Sequence, residues 1–432
     1  MRDLALSAAV FLLLPVCMFR PWVGILTWSW LGYMNPHRLT WGFAATFPWA
    51  QMVALATLAG VVLTGAFRRS RWDMWRAREV WLLLALWAVF IGTTITAIYP
   101  DEAFDQLSKV SKILFMTFMT LALIQDGYRV KHLLWVIGLS IGFYGFKGGI
   151  FTVTTGGVHQ VLGPPETFFG GNTEVGLALN MVLPILVFLR RQERRSWVRN
   201  VLFAVIAFSV VAVIGTYSRG AFLGLIVVLA VLLLKSRRKS IVLGLIAIGI
   251  AFASSAMPEK WFGRMGTIQT YEEDRSATNR LEAWKVATRL GLERPLTGGG
   301  FRTFAREIFE RYGFAGGRDA HSIYFQVLGE HGFLGLALYL SLIVSTWWSL
   351  RGMIRRRYAD AERQWIPGCA QMLEASLLAY LITGAFLSLS YFDLFYHLVI
   401  ITVILKGLSR QKATEPAEAG RPAAAPATVA AA

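Results

Sequence analysis

Long apolar runs alternate with short polar connections along almost the whole chain. The runs are about 17 to 25 residues long, the length that a helix needs to cross the hydrocarbon core of a bilayer. Apolar residues are continuous within each run and do not alternate with polar ones, so the pattern predicts helices and not the strands of a barrel. We therefore expect an all-α integral membrane protein. Twelve spans are predicted, near residues 4–19, 47–66, 80–99, 109–125, 132–149, 173–190, 199–215, 220–234, 240–255, 331–350, 371–388 and 391–408.

The basic residues predict how these spans are oriented. Connections rich in Arg and Lys occur at 68–78, 190–195, 235–239 and 351–357, and the positive-inside rule places them in the cytoplasm. The connection at 100–108 is acidic and is expected on the outer side. Both chain ends then lie in the cytoplasm, so the number of crossings is even.

This pattern divides the chain into four parts. The first part of the bundle covers 1–255 and its last part 331–408, with a long, partly helical loop at 256–330 between them on the periplasmic side. An even number of crossings leaves the short, Trp-rich stretch at 21–46 as a re-entrant or interfacial segment. Residues 409–432 form a low-complexity tail that we expect to be disordered in the cytoplasm.

Composition supports a membrane protein and argues against nucleic-acid binding. The chain has 432 residues, of which 55% are hydrophobic and 16% are charged, and its formal net charge is +17. The positive charge is concentrated in the connections, where topology explains it, and no nucleic-acid recognition motif accompanies it. Cys17 and Cys369 lie in or beside apolar runs and indicate neither a disulfide framework nor a metal site.

The loop at 256–330 concentrates the polar residues that chemistry requires. Its sequence LEAWKVATRL has apolar residues at helical spacing, which predicts a folded cap rather than a disordered linker. Pro295 ends that helix, and Gly298, Gly299 and Gly300 predict a tight turn with exposed backbone N–H groups.

His321 is the candidate catalytic residue of the loop. It stands just before the next apolar helix, where a neutral imidazole is near its working pKa and can accept a proton from an attacking hydroxyl group. A structural role is the alternative for His321, and it is the role that we expect for His331. No third ligand occurs at metal-binding spacing, so no metal site is predicted.

Arg219 is the only basic residue in a very short outer turn between two spans, against the positive-inside trend. It is either a snorkelling arginine or a ligand for an anion near the headgroups. Arg275 and Arg280 on the loop can join it, because the planar donor fork of arginine matches phosphate oxygens.

From about residue 163 to 340 the chain resembles the O-antigen ligase and polymerase family of bacterial membrane glycosyltransferases. The Ser218–Arg219–Gly220 sequence resembles the family's Ser-Arg-Gly motif. The other matching positions are Gly170, Gly171 and Asn172, then Arg280, Trp284, Pro295, Gly298 and Gly300, and finally His321, Tyr324, Glu330, Gly332 and Gly335. The Trp-rich start also resembles a subgroup of O-glycosylation ligases that accompany exosortase systems.

The resemblance implies transfer of a glycan from undecaprenyl diphosphate to an acceptor hydroxyl at the periplasmic face of the bacterial inner membrane. For ligases the acceptor is lipid A–core. The roles it implies are His321 as an inverting general base and Arg219, Arg275 and Arg280 as ligands of the donor diphosphate. Ser218, Asn172, Tyr324 and Glu330 are supporting residues. We expect no cofactor and no metal, because no P-loop or metal motif is apparent.

Other functions remain open at this point. Within the family, the acceptor can instead be a protein side chain, as in protein O-oligosaccharyltransferases, or a growing glycan, as in polymerases. A lipid-linked glycan transporter or flippase is the alternative of another class. It is disfavoured because charged residues deep in the spans are few, and Lys147 and Asp393 lie near predicted span ends.

Overall fold

The computed structural model describes residues 1–235, 239–266, 275–358 and 360–411, without the side chains of Arg69 and residues 275–277. Within these ranges the regular structure is entirely helical. Most of the predicted tail lies outside the described residues. The helices are α1 Arg2–Phe19, α2 Pro21–Met34, α3 Trp49–Thr64, α4 Trp72–Trp75, α5 Arg78–Ile95, α6 Pro100–Leu123, α7 Gly127–Thr154, α8 Asn172–Gln192, α9 Ser196–Gly215, α10 Arg219–Lys235, α11 Lys239–Ala256, α12 Glu259–Gly266, α13 Arg275–Glu293, α14 Arg306–Arg311, α15 Ile323–Arg355, α16 Ile366–Gly384 and α17 Asp393–Ser409.

The predicted fold class is confirmed: the described chain is all-α and contains several helices that can cross a membrane. Among the described residues, eight helical segments are long and apolar enough to cross a membrane. They are α1, α5, α7, α8, α9, α11, α15 and the segment Ala361–Gly384 that contains α16. The shorter α3, the more polar α6 and the 17-residue α10 and α17 are not among them. The count of twelve crossings and the side on which the loop lies therefore stay predictions.

The stretch predicted to be re-entrant contains a continuous helix, α2, bounded by two irregular residues. Arg20 has a non-helical backbone conformation and separates α1 from α2. Asn35 ends α2 with a left-handed backbone at φ 45°. The helix packs against α1, α3 and α7. Close approach to α3 depends on small residues, since a Cβ at Gly24 would overlap the side chain of Thr57. Its depth in the membrane remains a prediction.

Helix α8 is the centre of the bundle. Every residue from Val175 to Leu189 is buried, and α8 packs against α7, α9, α10 and α16. Polar side chains hold it there: Asn180 donates to the carbonyl of Ala221 at 2.8 Å. At a rise of about 1.5 Å per residue, Asn172 and Arg190 lie roughly 27 Å apart, at opposite ends of the bundle.

Buried carboxylates join helices near the end that holds the basic clusters. Glu79 of α5 pairs with Lys406 of α17 at 3.0 Å, and its side chain is fully buried. Glu374 of α16 is equally buried and pairs with both Lys235 and Arg351. Burial requires such charges to be paired, so each of these carboxylates cross-links helices that are distant in sequence.

The described part of the loop folds onto the opposite end of the bundle. Helices α13 and α14 enclose a small apolar core of their own, formed by Ala283, Val286, Leu290, Ile308 and Phe309. Helix α13 also packs along the first part of α15. That first part ends at a kink, where Gly332 has a φ of 65°. The membrane-spanning part of α15 continues beyond it.

Candidate functional site

A cavity of about 820 Å³ lies where the loop meets the bundle. Its volume is within the range of about 300 to 1,000 Å³ that is typical of ligand sites. Thirteen of its 23 lining residues are polar or charged. They are Asn35, Gln106, Lys109, Glu166, Thr167, Glu174, Arg302, Asp319, Gln326, Glu330, Ser388, Tyr391 and Asp393, with Trp28, Phe168 and Phe304 beside them.

Strained backbone is concentrated around this cavity. Five non-glycine residues in the described part of the chain have positive φ, namely Asn35, Glu166, Tyr217, Arg302 and His321, with φ of 45°, 58°, 57°, 60° and 47°. Asn35, Glu166 and Arg302 line the cavity, and His321 directly follows two lining residues. Such conformations cost about 1 to 3 kcal/mol each and cluster at functional sites. The backbone therefore marks the same place as the sequence motifs.

The segment that carries His321 is anchored on two sides. Its own N–H donates to the hydroxyl of Ser388 at 2.7 Å. On the other side, the indole N–H of Trp284 donates to the carbonyl of Ala320 at 3.0 Å. Arg318 adds an ion pair to Glu282 at 2.5 Å. The segment is therefore held between α13 and the turn that follows α16.

The imidazole of His321 is suited to accept a proton. Neither ring nitrogen has a hydrogen-bond partner among the residues that the structure describes. Burial lowers the pKa of His321; the Asp319 carboxylate opposes that shift, and the charges of Arg280 and Arg318 add to it. The pKa is therefore lower than the ordinary 6.5, and the ring is neutral at neutral pH.

The structure describes the three predicted arginines in different detail. Arg280 lies one helical turn before Trp284 on α13, close enough for its charge to act on His321. Arg219 is the first residue of α10, and Gly220 beside it packs against Phe386, near the Ser388 turn. Arg275 begins α13, but its side chain is not among the described atoms. The diphosphate-binding role of all three arginines stays a prediction.

Two of the predicted supporting residues stabilise the start of helices. The hydroxyl of Ser218 accepts from the N–H of Ala221 at 3.2 Å, which makes it the N-cap of α10. The amide of Asn172 donates to the carbonyl of Thr216 at 2.9 Å and so joins the start of α8 to the end of α9. Both bonds hold the turn before Arg219 in place.

The other two supporting residues lie on α15, and of the two only Glu330 lines the cavity. Tyr324 donates to the carbonyl of Leu381 at 3.1 Å, which fixes α15 against α16. Glu330 accepts from the N–H of Arg302 at 3.0 Å and from the hydroxyl of Tyr391. Glu330 thus holds the strained backbone of Arg302.

His331 occupies a structural position, consistent with its predicted role. It is fully buried. Its two ring nitrogens are hydrogen-bonded to Thr93 at 2.7 Å and to Tyr391 at 2.8 Å. The ring therefore links α5, α15 and the turn before α17.

The prediction that the glycine turn exposes its N–H groups is wrong. These groups bond inside the protein instead, because the turn docks on the kink of α15. Gly298 donates to Arg294 at 2.8 Å, Gly299 to Gly329 at 2.8 Å and Gly300 to Glu330 at 2.9 Å. The turn supports the site and offers no anion-binding nest.

Sequence reasoning missed the wall contributed by α6. Residues 100–108 were expected to be a connection, but they are the first turns of this helix. Gln106 and Lys109, three residues apart on α6, both line the cavity. The guanidinium of Arg302 donates to the side-chain oxygen of Gln106 at 3.2 Å. The i, i+3 spacing of Gln106 and Lys109 places both on one helix face, but nothing in the sequence indicated that this face meets the loop.

The chain matches two known families over separate regions. Residues 1–194 match a family of unknown function, DUF5935, and residues 203–340 match the family described as O-antigen ligase. No curated protein matches the chain. The cavity draws Gln106 and Lys109 from the first region and Arg302 and Glu330 from the second. The resemblance that the motifs indicated is thereby confirmed over residues 203–340, which are similar to the O-antigen ligase family.

Proposed function

We propose that this protein transfers a glycan from undecaprenyl diphosphate to a hydroxyl group of lipid A–core at the periplasmic face of the bacterial inner membrane. The observation that carries the proposal is the position of His321, a neutral imidazole with no ring hydrogen bond to the described residues, beside a large cavity with many polar side chains. The match of residues 203–340 to the O-antigen ligase family supports the class of reaction.

In the proposed reaction, His321 acts as the general base. A ring nitrogen takes the proton of the acceptor hydroxyl as its oxygen attacks the anomeric carbon of the first sugar. The bond between that carbon and the diphosphate oxygen breaks, and the diphosphate leaves with the electron pair. This single displacement inverts the anomeric configuration. General-base assistance of this kind contributes about 10² to 10⁴ in rate.

The leaving diphosphate is assigned to Arg219, Arg275 and Arg280. It is the densest anion in the reaction, and guanidinium groups bind phosphate oxygens bidentately. Two observations support the assignment: the charge of Arg280 acts on His321, and α10 begins at Arg219 near the Ser388 turn. No divalent metal takes part in the proposal, and no group of three metal-binding side chains occurs within the described ranges.

The carbohydrate that reacts is assigned to the cavity. Carboxylates accept hydrogen bonds from sugar hydroxyls, and side-chain amides both accept and donate them. The cavity offers Glu174, Asp319 and Gln326 for this purpose, with Trp28 and Phe304 as apolar surfaces. Lys109 and Arg302 also line the cavity, among five acidic residues, Glu166, Glu174, Asp319, Glu330 and Asp393. A carboxylate or phosphate on the sugar therefore has to lie against these two basic side chains.

The decisive experiment is transfer by purified protein from an undecaprenyl-diphosphate glycan to separate lipid A–core and protein acceptors. We expect glycosylated lipid A–core, and we expect His321→Ala to lose about 10² to 10⁴ of the rate while still binding the donor. Transfer only to a protein would replace the acceptor in the proposal. A folded His321→Ala variant with wild-type turnover, or retention of anomeric configuration, would refute the mechanism.

A further inference from the structure

A second cavity, of about 860 Å³, lies at the other end of the bundle. It opens where α8, α9, α10, α11, α15 and α16 meet, about 27 Å along α8 from Asn172. This is the end that carries the basic connections expected in the cytoplasm. The cavity has no part in the proposed transfer reaction, and neither matched family description accounts for it.

The charge of its wall is strongly one-sided. Four basic residues line it, namely Arg190, Arg191, Arg199 and Lys235, against one acidic residue, Glu193. The charge of Lys235 is balanced by the buried Glu374, so the positive charge of the wall comes from the three arginines. Positive-inside topology explains basic residues on exposed connections, but it does not require three of them to face one cavity between helices. Such a concentration indicates an anionic ligand.

Contacts within the protein hold one of these cations in place. The Nε of Arg190 donates to the carbonyl of Arg199 at 3.2 Å. Its guanidinium carbon lies 5.3 Å from the ring centre of Phe203. A side chain fixed in this way loses less conformational freedom when it binds an anion than one that is mobile.

Most of the rest of the wall is apolar, with Gln364 and Gln371 as the polar exceptions. Val187, Ile206, Ile241, Val242, Leu245 and Ile354 line the cavity between the basic residues. A smaller cavity of about 320 Å³ adjoins it through Arg190 and Ile241. An apolar groove beside basic groups suits a ligand with a charged head and a hydrocarbon chain, and basic cavities between membrane helices bind anionic lipid headgroups.

We propose that this cavity binds an anionic phospholipid, with its phosphate against Arg190 and Arg199 and an acyl chain along Ile206 and Leu245. The planar donor forks of the two arginines match phosphate oxygens. The bound lipid fills the space between α8, α9 and α11 and thereby joins helices from both matched regions. A free phosphate ion shares the headgroup chemistry but leaves the apolar wall uncovered.

The test uses delipidated, purified full-length protein titrated with phosphatidylglycerol or phosphatidylcholine and observed by native mass spectrometry. We expect phosphatidylglycerol to bind at least about tenfold more tightly than phosphatidylcholine. The double variant Arg190→Gln/Arg199→Gln is expected to lose at least about tenfold in affinity, since two charge-assisted contacts are removed. Arg199→Gln alone, at an exposed position, is expected to lose less affinity. It replaces the double variant in the test if the double variant does not fold.

The matched control is Arg355→Gln/Arg356→Gln. These residues are exposed near the same end of the bundle and do not line the cavity, so the control removes the same charge without touching the site. Equal losses in both double variants, or no preference for phosphatidylglycerol, would overturn the proposal. The proposal would also be overturned if inorganic phosphate displaced bound phosphatidylglycerol as effectively as free phosphatidylglycerol does. The apolar wall would then contribute nothing to binding.

Discussion

The backbone N–H of His321 donates a hydrogen bond of 2.7 Å to the hydroxyl of Ser388. The two residues lie on different parts of the chain, His321 before α15 and Ser388 between α16 and α17. His321 has a φ of 47°, a conformation that is costly for a residue with a side chain. The bond to Ser388 therefore helps to hold a strained backbone that aims the imidazole.

Replacing Ser388 by Ala should lower kcat more than it raises KM. The N–H of His321 would lose its partner, at a cost of about 1 to 3 kcal/mol, and the imidazole would leave its position. Steady-state kinetics and a thermal melt measure the two effects separately. Ser254→Ala is the control, because this exposed serine bonds only within its own helix. Identical kinetics for the two variants would contradict the positioning role of Ser388.

The acid limb of the transfer rate should lie below pH 6.5. Burial lowers the pKa of His321 from 6.5, and only the neutral ring accepts a proton. Activity should therefore persist through pH 6.5 and fall as the pH drops through the lowered pKa. Asp319→Asn removes the charge that raises this pKa, so the limb should move to still lower pH. A pH–rate profile whose limb moves upward in this variant would contradict the assignment.

Arg219→Ala and Arg280→Ala should each reduce transfer through loss of a contact to the donor diphosphate. A charge-assisted hydrogen bond is worth about 1.5 to 3 kcal/mol, or roughly 10- to 150-fold in rate. Lysine at either position should restore only part of the activity. Arg289→Ala is the control on α13, since Arg289 bonds to the carbonyl of Tyr312 at 2.9 Å, within the loop. Normal transfer by both Ala variants would place the diphosphate elsewhere.

Lys109→Gln should weaken transfer of acidic glycans more than that of neutral ones. Lys109 lines the cavity and has no ion-pair partner within the described ranges, so its charge is available to a sugar carboxylate or phosphate. The ratio of kcat/KM for an acidic and a neutral donor measures the effect. Lys112→Gln, three residues further along α6 and outside the cavity wall, is the matched control. Equal ratios in the two variants would remove Lys109 from the site.

Gly298→Ala should destabilise the fold more than Gly313→Ala. Both glycines have positive φ, of 56° and 80°, so both substitutions carry a similar backbone cost. A Cβ at Gly298 would lie 2.6 Å from the carbonyl oxygen of Gly329, whereas a Cβ at Gly313 would meet nothing within 4 Å. The difference in melting temperature isolates the docking of the turn on α15. Equal melting temperatures for the two variants would contradict this prediction, because they would show that the contact between Gly298 and Gly329 can adjust to the added methyl group.

Eight of the twelve predicted spans correspond to helical segments that, within the described residues, are long and apolar enough to cross a membrane. The spans expected at 173–190 and 199–215 are α8 at Asn172–Gln192 and α9 at Ser196–Gly215. A long apolar run has no other stable form in lipid. The start of α6 was missed for a local reason. Asp101 and Glu102 look like an acidic connection, yet carboxylates in the first turn of a helix stabilise it.

The candidate site was predictable only where residues lie close together in the sequence. Motif spacing identified His321, Arg280 and Trp284, which one loop and one helix bring together. The cavity wall formed by Gln106 and Lys109 depends on packing between segments almost two hundred residues apart, for which a single sequence carries no signal. The bonding of the glycine turn to the kinked helix is equally non-local.

Backbone bonding across the two matched regions limits how this protein can be recombined. The N–H of Ile98, just after α5, donates to the carbonyl of Gly299 at 2.8 Å, and Thr93 on α5 bonds to His331. A chimera that grafts residues 203–340 onto an unrelated N-terminal half would leave both partners unmatched. The loop can therefore be exchanged between homologues only when α5 and the residues just after it are exchanged with it.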